Sequence, residues 1–206
     1  MSERTEVLRW LERTLVGAGA ALAVWSALTL AQARFYSTLP PPPAHSSVLR
    51  LPGEEPSPSA SRSTGVVRAG LRPGDWVARL EVPRVDLAAT VLEGSDDATL
   101  SRAAGHIEDT ALPGAVGNAG IAAHRDTIFR PVRNLRVGDV MTVTTADAVY
   151  DYRVDDTMIV NPEDVYVLDP TDHPTLTLVT CYPFTFIGHA PQRFIVKASL
   201  VAERPR

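Results

Sequence analysis

The chain has 206 residues, 45% of them hydrophobic, and a formal net charge of −4, which supplies one domain core with residues left over for a tail or anchor. The acidic balance excludes the basic face that nucleic-acid binding needs. A single cysteine excludes an internal disulfide, and five scattered histidines without partners at metal spacing argue against a structural zinc site.

In chain order, residues 1–14 mix Arg4, Arg9 and Arg13 with Glu3, Glu6 and Glu12 and read as a cytoplasmic N-terminus. Residues 15–33 then run without a charge and are dominated by Ala, Leu, Val and Gly. At about 1.5 Å per helical residue they reach roughly 28 Å, close to the thickness of a bilayer's hydrocarbon core, and predict one transmembrane anchor. Trp25, Phe35 and Tyr36 suit an aromatic belt at its outer end. Ala31-Gln32-Ala33 also fits a signal-peptidase site, but the apolar run exceeds the usual signal-peptide core, which favours an uncleaved anchor. Arginines upstream and a long remainder downstream put the domain outside the cytoplasm. Residues 34–74 turn to Pro, Ser, Gly and Arg, with Pro40 to Pro43 in a row, and predict a semi-rigid linker of polyproline character.

Residues 75–206 form the expected domain. Trp76 to Val82 alternates as a strand with Trp76, Ala78, Leu80 and Val82 on one face, Pro83-Arg84 turns, and Val85 to Leu92 supplies a second strand. A short helix should follow, with Ser95 as N-cap, Asp96 and Asp97 in its first turn and Gly105 closing it. Further strands are expected at Ala119 to Ala123, Val140 to Thr145, Ala148 to Val160, Thr175 to Cys181 and Arg193 to Val201, with one helical turn after Asn161-Pro162. About eight strands, one or two short helices and no βαβ rhythm predict a closed, mainly β barrel.

The run Thr175 to Cys181 is β-branched and alternating and delivers the only thiol to a strand end, where Pro183 stops the pairing. His124 ends one predicted strand and Arg193 begins another. A free thiol is mostly protonated at neutral pH, so a cysteine nucleophile needs a neighbouring imidazole, and the acyl oxyanion needs donors or a cation. Cys181, His124 and Arg193 are those three types.

At these residues the chain resembles the sortase family of membrane-anchored cysteine transpeptidases. Thr177-Leu178-Val179-Thr180-Cys181 fits the family's TLxTC signature, Asn118 to Arg125 fits the segment ending on its histidine, and Arg193 stands twelve residues past the cysteine. Gly105-His106 to Pro113-Gly114, and His124-Arg125-Asp126-Thr127 to Pro131, look most like class D sortases. The resemblance implies an eight-stranded sortase barrel with Cys181, His124 and Arg193 as catalytic residues and Thr180 and His106 as candidates for substrate contact. It further implies cleavage of an LPxTG-like motif in secreted proteins through a thioester, and transfer to an amine of the cell wall or a pilin. The alternative is a barrel that binds the motif without turnover. Arg125 ranks below Arg193, because it would point the other way if its strand continued, and His45, His173 and His189 read as linker or loop residues. No cofactor is expected: Asp155, Asp156, Glu163, Asp164, Asp169 and Asp172 match no calcium-loop spacing and read as a solvated acidic surface.

Overall fold

The computed structural model describes residues 2–37, 71–186 and 188–206. Residues 38–70, which carry most of the expected linker and His45, lie outside them. The N-terminal segment is one helix, α1 (Ser2–Ser37), which contains the stretch read as an anchor. Among the described residues no helix is long and apolar enough to cross a membrane.

The remainder is a closed barrel of β1 (Trp76–Val82), β2 (Leu87–Glu93), β3 (Ala104–His106), β4 (Gly117–Ala122), β5 (Val140–Thr144), β6 (Ala148–Val160), β7 (Pro174–Tyr182) and β8 (Gln192–Pro205), in the order β1-β2-β3-β4-β7-β8-β6-β5. Two neighbouring pairs are parallel, β2 with β3 and β4 with β7, and the others are antiparallel. Alternation fills the interior: Ala78, Leu80 and Val82 of β1 meet Ile121 of β4 and Leu176 and Leu178 of β7 in one buried cluster. The register shift between Trp76 and Ala78 lets Val77 turn in as well, so Trp76 stays only half-buried, against the simple alternation its strand predicts.

The helix expected after β2 is a single turn, α2 (Asp97–Leu100), and its cap is Asp96 rather than Ser95. The Asp96 carboxylate accepts from the Ala98 and Thr99 amides, while the Ser95 hydroxyl donates to Glu108. Gly105 does not end that helix but lies within β3, where a Cβ would stand 2.1 Å from the Gly94 carbonyl oxygen. The close approach of two parallel backbones, not a left-handed cap, is what requires glycine there.

The segment 107–116 doubles back over β4. Ile107 N–H donates to Gly120, Ala111 N–H to Asn118, and Gly114 N–H to the Tyr152 hydroxyl at 2.7 Å. Gly114 has φ +89°, and a Cβ there would lie 2.2 Å from the Tyr150 ring. Burial pushes the Tyr152 hydroxyl up to about 12, so it stays protonated throughout the working range.

Two ion pairs tie loops and strands outside this core. Asp139 accepts from Arg84 and from the Arg136 amide, and Asp151 from Arg204 and Thr142. Each carboxyl lies below its ordinary value, chiefly through the arginine hydrogen bond. A depressed folded pKa gives stability that is present above the usual carboxylate range and lost as pH falls through the folded value. The urea midpoint should therefore drop less between about pH 6 and pH 3 for Asp139→Asn than for the wild type. Equal drops would show the Arg84–Asp139 pair to be energetically idle.

Candidate active site

The parallel β4–β7 ladder runs to Ala122 opposite Val179. It is prolonged by Ala123, whose N–H donates to the Val179 carbonyl at 3.3 Å and whose own carbonyl accepts from the Thr180 hydroxyl at 2.7 Å. His124 follows two residues past the last paired position and lines the same cavity as Cys181. Beyond it the chain is pinned again, since Phe129 N–H donates to the His124 carbonyl and the Phe129 ring is fully buried. On the other flank, antiparallel pairing sets Arg193 of β8 directly opposite Cys181. In-register neighbours project to the same face. The thiol therefore stands on β7 with the Arg193 side chain on the same face from β8, and the His124 imidazole comes to the same cavity from the end of β4.

All three line one open cavity of about 500 Å³ with Asp97, Arg125, Asp126, Gly188, His189 and Ala190. Cys181 is half-buried and His124 is exposed, so the thiol lies within reach of a substrate while its backbone is fixed. The Arg193 guanidinium donates to the carbonyls of Ala190 at 3.3 Å and Gln192 at 3.0 Å. Arg125 reaches the same cavity rather than pointing away from it, because the chain leaves extended geometry after His124 and turns toward Phe129.

Thr180 is buried and is not among the cavity-lining residues; its hydroxyl is committed to Ala123, which makes it a clamp between β7 and the approach to His124. His106 is neither exposed nor in the cavity. It sits fully buried on β3, its Nδ1 2.7 Å from the Glu93 carboxylate, with which it is paired across the β2–β3 ladder. Its Nε2 faces the Ala111 carbonyl at 2.9 Å and the Thr110 hydroxyl oxygen at 3.1 Å. Thr110 donates its proton to the Ile107 carbonyl and accepts from the Gly120 amide, so it meets His106 as an acceptor. Both ring nitrogens thus face oxygen atoms, and the ring ties β2 to the segment 107–116. His106 reads as a structural anchor for the segment 107–116.

His189, expected as a plain loop residue, contributes to the cavity wall. No sequence signal distinguishes it, since its position depends on how the segment after Pro183 folds back. His173 is on the surface, bonded to Asp172. Of the acidic residues, Asp155 accepts from Ser199, Asp156 from the Thr157 amide and Asp164 from the Asn161 amide. Among the described residues no group of three or more histidine, cysteine or carboxylate side chains is arranged to hold a metal ion.

A closed barrel whose one cysteine shares an open cavity with a histidine and an arginine has the parts of a thiol-dependent transferase. A profile of the sortase domain matches residues 80–201, and the chain belongs to the sortase family, whose members are cysteine transpeptidases. Class D relatives are among the most similar: Sortase D of Bacillus subtilis is 32% identical over 118 residues, spanning 57% of this chain and 60% of that protein. Sortase SrtE1 of Streptomyces coelicolor is 35% identical over 154 residues, spanning 65% of this chain and 43% of the other. The chain thus covers less than two thirds of the length of either relative. A Clostridium perfringens Sortase D5 transpeptidase superposes with a TM-score of 0.60 at 33% identity, covering 65% of this chain and 83% of that one.

Proposed function

We propose that the chain is a surface transpeptidase that cleaves an LPxTG-like sorting motif in secreted proteins and passes the acyl group to an amine of the cell wall or a pilin. The observation that supports this reading is the cavity that Cys181, His124 and Arg193 line together, with Arg193 paired opposite Cys181. In the proposed cycle the Cys181 thiolate bonds to the scissile carbonyl carbon, the C–N bond breaks, and His124 gives its proton to the departing amine. The acceptor amine then attacks the thioester, returns a proton to His124 and releases the thiolate. In both steps Arg193 would turn from the Ala190 and Gln192 carbonyls to the substrate oxyanion.

The test is incubation of the purified full chain with a pentapeptide library and several amines, with mass spectrometry of the products. Transferred peptide carries the proposal, whereas binding without product would leave only a motif-binding barrel. Arg193→Lys keeps the charge but loses the planar fork, so transfer should slow by about 10²-fold or more while a small thiol reagent still labels Cys181. A near wild-type rate would make Arg193 a structural residue of β8.

The membrane placement rests on the sequence. Residues 15–33 are uncharged, and α1 exposes Leu15, Val16, Leu22, Val24, Trp25 and Leu28. Alkaline extraction of bacterial membranes should leave the full-length chain in the pellet. A mature N-terminus at Arg34 would show the segment to be a cleaved signal instead.

A further inference from the structure

The segment between β7 and β8, Pro183 to Pro191, forms one wall of the cavity through Gly188, His189 and Ala190. Its root is well packed: the Tyr182, Phe184 and Phe194 rings meet at 5.4 to 6.4 Å between centroids. Its middle is not, since Phe186 is 46% exposed and Gly188 is exposed as well. What reaches that middle is Arg125, whose Nη2 donates to the Phe186 carbonyl at 2.6 Å and the Gly188 carbonyl at 3.0 Å. The other cation on this wall, Arg193, holds Ala190 and Gln192. If Arg193 leaves those carbonyls to meet a developing oxyanion, its hold on Ala190 is released at that moment. Arg125 then remains as the charged tie between the His124 side of the cavity and the opposite wall.

We propose that Arg125 is a positioning residue that tethers the Phe186 and Gly188 carbonyls, so that the wall formed by Gly188, His189 and Ala190 stays against the cavity of Cys181 and keeps water from the acyl-enzyme, and the thioester is passed to an amine rather than hydrolysed. The second half of this inference rests on the transferase reading; the tether itself does not. Arg125 makes no bond to reacting atoms. It acts by holding carbonyls whose own hydrogen-bonding needs would otherwise be met by solvent.

The test uses the full chain in detergent micelles as wild type, Arg125→Ala and Arg125→Lys. Brief chymotrypsin treatment reads opening of the segment at Phe184 and Phe186, and iodoacetamide reads access to Cys181. In Arg125→Ala, cleavage there should speed up about ten- to hundredfold, the scale of an opening equilibrium that loses charge-assisted hydrogen bonds. Alkylation should also rise, while the thermal midpoint of the barrel is retained. With a sorting peptide and an amine, the hydrolysed share of product should rise several-fold and the KM for the amine should increase. Arg125→Lys, which reaches one carbonyl at a time, should fall between the two. Unchanged cleavage and alkylation in Arg125→Ala would overturn the tether. Faster cleavage with an unchanged ratio of hydrolysis to transfer would overturn the proposed shielding. A wild type that opens as described but transfers no peptide to any amine would sink the transferase reading and the shielding with it, leaving the tether in place.

Discussion

Under the proposed function, Cys181→Ala should abolish both acyl-enzyme formation and transfer, with an expected loss on the order of 10⁶-fold, the scale reached when a covalent nucleophile is deleted. No second thiol in the chain can substitute for it. The fold should survive, because Cys181 is only half-buried at the open end of β7 and the clamp on Ala123 is made by Thr180. The mass of the protein after brief incubation with a sorting peptide is the direct readout: wild type gains the acyl fragment and the alanine variant does not. Product from the alanine variant above the uncatalysed rate would remove the thioester from the mechanism. His124→Ala should lose nearly as much transfer, since the departing amine needs a proton as the peptide bond breaks, yet it should retain some labelling of Cys181 by small reagents.

The second large effect is on stability. His106→Ala leaves the Glu93 carboxylate beside an empty site in a nearly dry interior and takes a partner from the Ala111 carbonyl. Leaving a buried polar group without its hydrogen-bond partner costs about 1–3 kcal/mol, and more for a charged one, so the melting temperature should fall by roughly 4–10 °C for a domain of this size. Glu93→Gln should also destabilise. The double variant should lose much less than the sum, because much of each single loss comes from the partner left behind. Additive losses below about 1 kcal/mol would mean that the pair does not hold the segment 107–116.

The strands were legible where they are long and alternate: β1 and β6 have the limits that their patterns predict. β3 was not, because Ala104-Gly105-His106 is too short to alternate and forms only where β2 and β4 offer edges on both sides. The parallel β4–β7 pairing was equally hidden, since nothing in the order of strands announces a crossover without a helix. Of the site, the residue types and motif spacing singled out Cys181, His124 and Arg193, and the structure brings all three to one cavity. His106 was misread because its partner stands thirteen positions away on a neighbouring strand, a relation that local sequence does not encode. Arg125 was misjudged because strand geometry was carried past its end.

Cys181 lies on β7, an interior strand of the closed ladder with β4 on one side and β8 on the other. A peptide held at Cys181 therefore does not extend the outermost strand of a sheet, the common way for a sheet to read a linear motif through its main chain. Whatever peptide reaches Cys181 has to be recognised by the connections that surround the cavity, and its amides and carbonyls must find partners there or stay wet. Under the proposed function, motif preference should therefore move chiefly with transplanted connecting segments, which supply most of the cavity lining beside Cys181 of β7 and Arg193 of β8.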